Sequence, residues 1–149
     1  MEISVRNVFL EVDDHEAALG FYRDALGFEV RQDVSYEGAR WLTVGPPSQP
    51  DLGIVLTTVG VGRPPEDAQV LRELLAKGSL SGLVLATDDV DAVFEKVRAS
   101  GAEVLQEPMD MPYGPRECEF RDPAGNSVRF SQAPRYIGWV TESDGRGSL

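Results

Sequence analysis

The segment Arg121-Asp122-Pro123-Ala124-Gly125-Asn126 decides how this chain folds. Pro123 fixes its own φ and donates no backbone hydrogen bond, and the Gly125-Asn126 pair tolerates positive φ, so the chain must reverse direction here. The flanking residues, Arg116 to Phe120 and Ser127 to Ser131, have the composition of β-strands. We therefore predict two antiparallel strands joined at this turn.

The downstream strand has two different faces. Val128 and Phe130 point to one side, and Ser127, Arg129 and Ser131 point to the other. The apolar side needs a core to pack against. The other side carries Arg129, and these two strands alone do not explain its role.

A longer pattern occurs twice in the chain. Asp13-Asp14 precedes a helix that Gly27 ends, and 75 residues later Asp88-Asp89 precedes a helix that Gly101 ends. Each copy indicates a strand, a helix and then three strands, and such an internal repeat fixes the architecture. We predict an α+β fold of two βαβββ modules that form curled mixed sheets around a cleft.

The repeat also predicts the organisation of the chain. The first module covers residues 1–60 and the second 81–133. Residues 61–80 form a connector with a short helix, and residues 134–149 form a C-terminal tail. The first helix is expected to begin at Asp13, which forms a capping box with Glu16.

Composition excludes several classes of protein. Of 149 residues, 42% are hydrophobic, and the net charge is -11. This charge argues against nucleic acid and anionic membranes as partners, and it suits a cationic ligand or serves solubility alone. No apolar run approaches the about 20 residues of a membrane span. We expect no signal peptide after Met1, and with Cys118 as the single cysteine we expect a cytoplasmic protein.

Three motifs occur in order: Val12 to Tyr22 followed by Leu26-Gly27-Phe28, then Asp88 to Ala92 with Gly101, then Phe120 to Asn126. Together they resemble the glyoxalase, bleomycin-resistance and extradiol-dioxygenase superfamily, also called vicinal oxygen chelate. The resemblance covers about residues 5–133 and implies paired βαβββ modules, usually in a homodimer. The function stays open, because this fold supports several chemistries as well as non-catalytic binding.

The resemblance also implies where a metal would lie. The superfamily's enzymes take ligands from the first strand of each module, usually His or Gln, and from each last strand, usually Glu. Those positions correspond here to Asn7, Gly82, Arg129 and a residue within Leu52 to Thr58, a segment without His, Glu, Asp or Gln. Divalent ions need imidazole or carboxylate donors at converging positions. We therefore expect no metal and no other cofactor, although Glu11 and Glu119 could supply oxygen ligands.

Two reactive side chains receive structural interpretations. His15, the only histidine, lies in the first turn of a helix and is interpreted as a surface residue. Cys118 lies between Glu117 and Glu119, whose charges would disfavour a thiolate, so we interpret it as a packing residue.

The predicted ligand-binding residues are aromatic, sulfur-containing or polar side chains at the cleft positions. Met109, Met111 and Tyr113 are assigned to a loop over residues 108–116. Alternatives remain: Trp41 could be core, the methionines could fill a lid, and Arg129 could pair with an acid of the protein (Glu117, Glu119 or Glu11). The predicted set is Asn7, Phe9, Trp41, Met109, Met111, Tyr113 and Arg129.

Three functions are compatible with these residues. The first is a metal-free binder of a small aromatic or cationic molecule, which would act in drug sequestration as a homodimer. The second is a lyase, isomerase or dioxygenase-type enzyme with an atypical site, in which Glu11, Asp110 or Glu119 acts with Arg129. The third is a non-catalytic partner domain that docks through the tail segment Arg135 to Val140.

Overall fold

The computed structural model describes residues 1–80 and 82–134. The predicted docking segment Arg135 to Val140 lies outside the described residues. Within them, the chain forms two four-stranded mixed sheets and three helices, and the α+β prediction is confirmed. No helix in these ranges combines the length and the hydropathy needed to cross a bilayer.

The element order repeats a strand, a helix and three strands. The first strand of each sheet pairs in parallel with the fourth, and the other pairings are antiparallel, so the sheet orders are β1-β4-β3-β2 and β5-β8-β7-β6. We call them the first and second sheet. The elements are β1 Asn7–Val12, α1 His15–Leu19, β2 Glu29–Tyr36, β3 Ala39–Gly45, β4 Gly53–Thr58, α2 Pro65–Ala76, β5 Leu83–Ala86, α3 Val90–Ala99, β6 Glu103–Asp110, β7 Arg116–Arg121 and β8 Ser127–Gln132.

The first helix begins one residue later than its predicted cap. Asp14, not Asp13, is the N-cap, and its carboxylate accepts hydrogen bonds from the backbone N–H groups of Glu16 and Ala17 at 2.9 and 3.3 Å. The Glu16 carboxylate pairs instead with Arg40, at 2.8 Å. The helix continues as a π-helical segment over Gly20–Ala25.

One hydrophobic core joins both halves of the chain. Most of its buried side chains come from α1 and its π-helical continuation, from α2 and α3, and from one face of each sheet. Because both sheets direct an apolar face into this shared core, their other faces point away from it. Its largest members with the least exposure are Tyr22, Phe120, Leu42, Leu56, Leu75, Val12, Val44, Val59, Val90, Val97 and Val128.

The β7–β8 turn ties the two halves together through Asp122. One carboxylate oxygen accepts the backbone N–H groups of residues 124–126, each at 2.9 Å, and the other accepts the Tyr22 hydroxyl at 2.6 Å. The Asn126 carboxamide donates to the backbone oxygen of Glu11 at 2.7 Å. Gly125 has φ +123°, and a Cβ there would collide with the Leu75 carbonyl oxygen. The predicted reversal therefore also connects to α1, β1 and α2.

Candidate functional site

The face of the first sheet that points away from the core carries an exposed aromatic pair; we call it the first open face. The rings of Phe9 and Trp41 meet edge to face, with centroids 5.9 Å apart and planes at 81°. Phe9 is 62% exposed and Trp41 is 37% exposed. The indole N–H of Trp41 donates to the Gln32 side-chain oxygen at 2.9 Å. Trp41 is therefore a surface residue, and a flat ring could stack on this pair.

Polar residues adjoin the aromatic pair on the same face. Phe9, Val55, Thr43 and Gln32 are direct cross-strand neighbours on β1, β4, β3 and β2. Asn7, two residues before Phe9, pairs with Gly53 at the end of the sheet. The first open face thus combines an aromatic floor with amide and hydroxyl groups.

The face of the second sheet that points away from the core, the second open face, carries a charged network. Arg129 lies 3.5 Å from the Glu117 carboxylate and 3.3 Å from the Glu119 carboxylate. The Tyr113 hydroxyl donates to Glu117 at 2.7 Å, and Ser131 donates to the other Glu117 oxygen at 2.9 Å. Arg129 thus pairs with protein acids, one of the alternatives left open by the sequence.

The network perturbs its tyrosine and has a net charge. The hydrogen bond to Glu117 raises the pKa of the Tyr113 hydroxyl. Partial burial and the negative charge of Glu117 raise this pKa further, whereas the positive charge of Arg129 lowers it. Glu117 is only 5% exposed. Two carboxylates, of Glu117 and Glu119, face one guanidinium, so the network carries one unit of negative charge. Such a surface favours a positively charged ligand group.

The predicted loop over residues 108–116 is shorter than expected, and one of its two methionines lies outside it. β6 extends to Asp110, so Met109 lies in a strand opposite Glu117, with 47% of its surface exposed. Only Met111 and Tyr113 lie in the connection to β7. The Met111 sulfur accepts a hydrogen bond from the Gln106 amide at 3.4 Å, which ties the connection to β6.

The predicted binding residues divide into two groups. Asn7, Phe9 and Trp41 lie on the first sheet, whereas Met109, Met111, Tyr113 and Arg129 belong to the second sheet and its β6–β7 connection. The ring contact of Phe9 and the ion pairs of Arg129 each stay within one sheet. Since both sheets turn these faces away from the shared core, one chain does not bring the two groups together.

The residues at the superfamily's metal positions do not fit a divalent ion. Asn7 supplies an amide, Arg129 is a cation, and β4 contains neither His nor acid. A Cβ at Gly82 would collide with the Ser127 backbone, so the strand leaves no room for a ligand side chain there. Within the described ranges, no three His, Cys, Asp or Glu side chains converge.

The acids considered as alternative ligands have partners of their own. The Glu11 carboxylate receives two hydrogen bonds from Arg63, at 3.2 and 2.9 Å. Glu119 accepts from Ser127 and from Arg129. A metal at either acid would have to displace a cation that is already bound there.

His15 and Cys118 both have roles in packing. His15 is half-buried, and its Nε2 lies 2.9 Å from the Leu56 carbonyl oxygen, so it links α1 to β4 rather than standing free on the surface. Cys118 is fully buried, which confirms its packing role. Burial, followed by the charge of Asp91, raises its thiol pKa to about 11. The predicted cause, the flanking acids Glu117 and Glu119, was wrong because both point to the other face.

Sequence reasoning missed two residues of these faces, Gln32 and Thr43. Both lie in the same cross-strand row as Phe9. Alternation from Trp41 would have placed Thr43 on the same face, two residues along β3. A β-bulge interrupts β2 between Val30 and Gln32. It changes which side chains of β2 point to each face of the sheet, and the sequence gives no clear signal of it.

Comparison with known proteins agrees with this architecture. The sequence model of the glyoxalase/bleomycin resistance protein/dioxygenase superfamily matches residues 5–130. UcmS2, whose crystal structure is known, is 36% identical in sequence to this chain. The match covers 89% of this chain and 100% of UcmS2, with a TM-score of 0.82. TnmS3, an antibiotic binding protein from Streptomyces sp. CB03234, is 34% identical to this chain. The match covers 89% of this chain and 98% of TnmS3, with a TM-score of 0.70. A superfamily member from Sphaerobacter thermophilus DSM 20745 is 28% identical to this chain. The match covers 88% of this chain and 98% of that protein, with a TM-score of 0.72.

Proposed function

Because the chain belongs to the glyoxalase/bleomycin resistance protein/dioxygenase superfamily, we propose that it is a metal-free binding protein for a small aromatic cation. The ligand lies in a cleft between the first open face of one copy and the second open face of another. The protein holds the intact molecule and thereby sequesters it in the cytoplasm.

The observation that carries this proposal is the exposed pair of Phe9 and Trp41. Two large rings in edge-to-face contact on an open sheet face present apolar surface whose exposure to water is unfavourable. A planar ligand would cover this surface and gain stacking contacts. Val34, the cross-strand neighbour of Trp41, is 56% exposed and extends the apolar floor.

The charge of the second open face supports a cationic ligand. Glu117 and Glu119 outnumber Arg129, and the chain as a whole carries -11. An ammonium group would pair with the carboxylate charge that Arg129 leaves uncompensated, while the aromatic part contacts the rings of the opposite sheet.

A homodimer would complete the cleft. The open faces of one chain point away from each other, so neither can close over a ligand held by the other. A two-fold axis would bring the first face of each copy against the second face of its partner and form two equivalent sites. The mass in solution, measured by light scattering, is expected to be twice that of the chain; a monomer would contradict this part of the proposal.

One relative and the residues at the metal positions support binding of an intact ligand. TnmS3, at 34% identity over nearly its whole length, is an antibiotic binding protein. The donor groups at the superfamily's metal positions here do not suit a Lewis acid. Elemental analysis of the purified protein tests this directly, and a stoichiometric divalent ion would favour the alternative of an enzyme with an atypical site.

The binding test uses isothermal titration calorimetry with a panel of planar cations, 2-(aminomethyl)fluorene among them. The change Trp41→Leu should weaken binding about tenfold, as expected for loss of one stacked aromatic. The matched control Val70→Ala alters another exposed apolar residue, on α2, and should leave the affinity unchanged. Absence of binding across the panel would refute the proposal, as would equal binding by Trp41→Leu.

A further inference from the structure

A cavity of about 520 Å³ opens beside the aromatic pair at the end of the first sheet. It lies between the N-terminal approach to β1, the β2 bulge, β3 and the segment before β4. Its lining differs from that of the aromatic floor, because it is mostly polar. The lining residues that matter here are Asn7, Arg31, Gln32 and Thr43.

The Thr43 hydroxyl in this cavity has no partner. Thr43 is 3% exposed, and its oxygen makes no hydrogen bond with the residues that the structure describes. Leaving a buried hydroxyl unsatisfied costs about 1 to 3 kcal/mol. A Val at this position would have the same shape without that cost, so an unpaired threonine here indicates a partner that arrives from outside.

Neighbouring groups add hydrogen-bond donors. The buried Nε–H of Arg31 also has no hydrogen bond in the described chain, although the Glu29 carboxylate lies 3.6 Å away. The Gln32 oxygen is occupied by the Trp41 indole, which leaves the Gln32 NH₂ group available. The Arg31 guanidinium is otherwise occupied, because its terminal nitrogens donate to four backbone carbonyl oxygens between residues 46 and 52. The Gln32 NH₂ group is therefore the available donor, next to the covered Thr43 hydroxyl, and such donors suit a ligand oxygen that accepts hydrogen bonds.

Gly53 leaves room for the Asn7 side chain at the edge of the same cavity. A Cβ at Gly53 would lie 2.6 Å from the Asn7 side-chain oxygen and 2.6 Å from the Thr43 methyl group. The absence of a side chain at this position therefore leaves room above β4 for the Asn7 carboxamide beside Thr43. The part of Thr43 that faces this point is its methyl group, not its hydroxyl. Any larger residue at position 53 would displace these two side chains.

The cavity and the aromatic pair are close enough for one ligand to contact both. Thr43 and Gln32 lie in the same cross-strand row as Phe9, and Gln32 is hydrogen-bonded to Trp41. A fused ring that stacks on Phe9 and Trp41 would direct a substituent on its edge towards Thr43. The Thr43 hydroxyl itself is covered, so a ligand group reaches it only after neighbouring side chains shift; Gln32, the exposed residue directly across from Thr43, is one of these neighbours.

We propose that Thr43, Gln32 and Asn7 form a subsite that accepts a carbonyl oxygen borne by the aromatic ligand. This inference rests on the proposed function and narrows its ligand class from planar cations to planar cations with a ring carbonyl. The carbonyl accepts hydrogen bonds from Thr43 and from the side-chain amides, while the rings stack on the aromatic pair.

The test compares two ligands that differ by one carbonyl group, 2-(aminomethyl)fluorene and 2-(aminomethyl)-9-fluorenone. The wild-type protein should bind the fluorenone about fivefold more tightly in calorimetry, as expected for one net hydrogen bond. Thr43→Val should abolish this preference, so that the variant binds the two ligands equally tightly. If the wild type binds both equally, the subsite is refuted and the proposed function stands.

A second probe separates the subsite from the aromatic site. Cyclopentanone carries a carbonyl but no aromatic ring, and it should shift the side-chain amide resonances of Asn7 and Gln32 in the wild type and not in Thr43→Val. If neither fluorene ligand binds but these shifts occur, the subsite stands without the proposed function. If cyclopentanone causes no shifts and the fluorenone has no advantage, the inference is overturned. Thermal unfolding of Thr43→Val, expected to match or exceed the wild type in stability, checks that the variant is folded.

Discussion

The hydrogen bond from Tyr22 to Asp122 should contribute measurably to the stability of the whole chain. Tyr22 is fully buried, Asp122 is 4% exposed, and the two oxygens lie 2.6 Å apart. The change Tyr22→Phe removes only the hydroxyl and leaves the ring packed against Phe21 and Phe28. The Asp122 carboxylate then loses one of its side-chain donors and keeps Asn126 Nδ2, at 3.0 Å.

The expected cost follows from the charge of the acceptor. A hydrogen bond to a buried charged group contributes about 1.5 to 3 kcal/mol, so Tyr22→Phe should lose about 2 kcal/mol of unfolding free energy. For a chain of this size that corresponds to a Tm lower by about 6 °C. Urea unfolding followed by circular dichroism should show a lower midpoint with an unchanged m value, because both halves share one core and should unfold together.

The control is Tyr36→Phe, since Tyr36 is 76% exposed and loses only a solvated hydroxyl. It should leave the unfolding free energy unchanged within about 0.5 kcal/mol. The reasoning fails if Tyr22→Phe is as stable as the wild type, or if the two variants lose equal stability. A lower m value for Tyr22→Phe would show instead that this bond makes the two halves unfold as one unit.

Three further changes test other parts of the structure. Gly125→Ala should cost about 2 kcal/mol or more in urea unfolding, because it combines positive φ with a collision at the Leu75 carbonyl, whereas Gly38→Ala, with φ +81° and open space around it, should cost less. Burial raises the Cys118 pKa from its ordinary value of 9.0 to about 11, so the folded state binds a proton that the unfolded state has lost, and stability should fall as the pH rises through this range. Melting curves at pH 8 and 10.5 should show a smaller drop in Tm for Cys118→Ala than for the wild type. Arg129→Gln should tighten binding of a planar cation about fivefold in calorimetry, because it removes roughly 1 kcal/mol of partly screened repulsion; weaker binding would show that Arg129 contacts an anionic group of the ligand.

Local patterns were sufficient to predict the elements and their order. Period-two alternation identified Asn7–Val12 as β1 with its observed bounds, and the repeated acid pair and closing glycine predicted α1 and α3. These features depend on residues close in sequence. The glycines that close the repeated helices, Gly27 and Gly101, have the positive φ that the pattern required.

Contacts between distant residues were not predictable in the same way. The partner of Tyr22 lies 100 residues away, and the partner of His15 lies 41 residues away. Nothing in the sequence near Asp122 indicates that its second oxygen faces a tyrosine of the other half. The role of Asp122 was therefore underestimated, although its turn was predicted correctly.

The misplaced boundary at Met109 has a specific physical cause. The predicted loop begins at Pro108, and proline cannot donate to a strand ladder. β6, however, is the edge strand of the second sheet, and at an edge a missing donor costs no inter-strand hydrogen bond. The register shift between Gln106 and Met109 further weakens the alternation that would have indicated a strand.

The binding chemistry is constrained by the backbone as well as by the choice of side chains. At Gly82, a Cβ would collide with the Ser127 backbone, and at Gly53 the ends of Asn7 and Thr43 occupy the space that a side chain would need. A metal ligand introduced at position 82 would have to move the Ser127 backbone, and one introduced at position 53 would have to displace the side chains of Asn7 and Thr43. Recognition by stacking and hydrogen bonds, by contrast, uses groups already present on the two open faces, and it requires only that these faces be brought together.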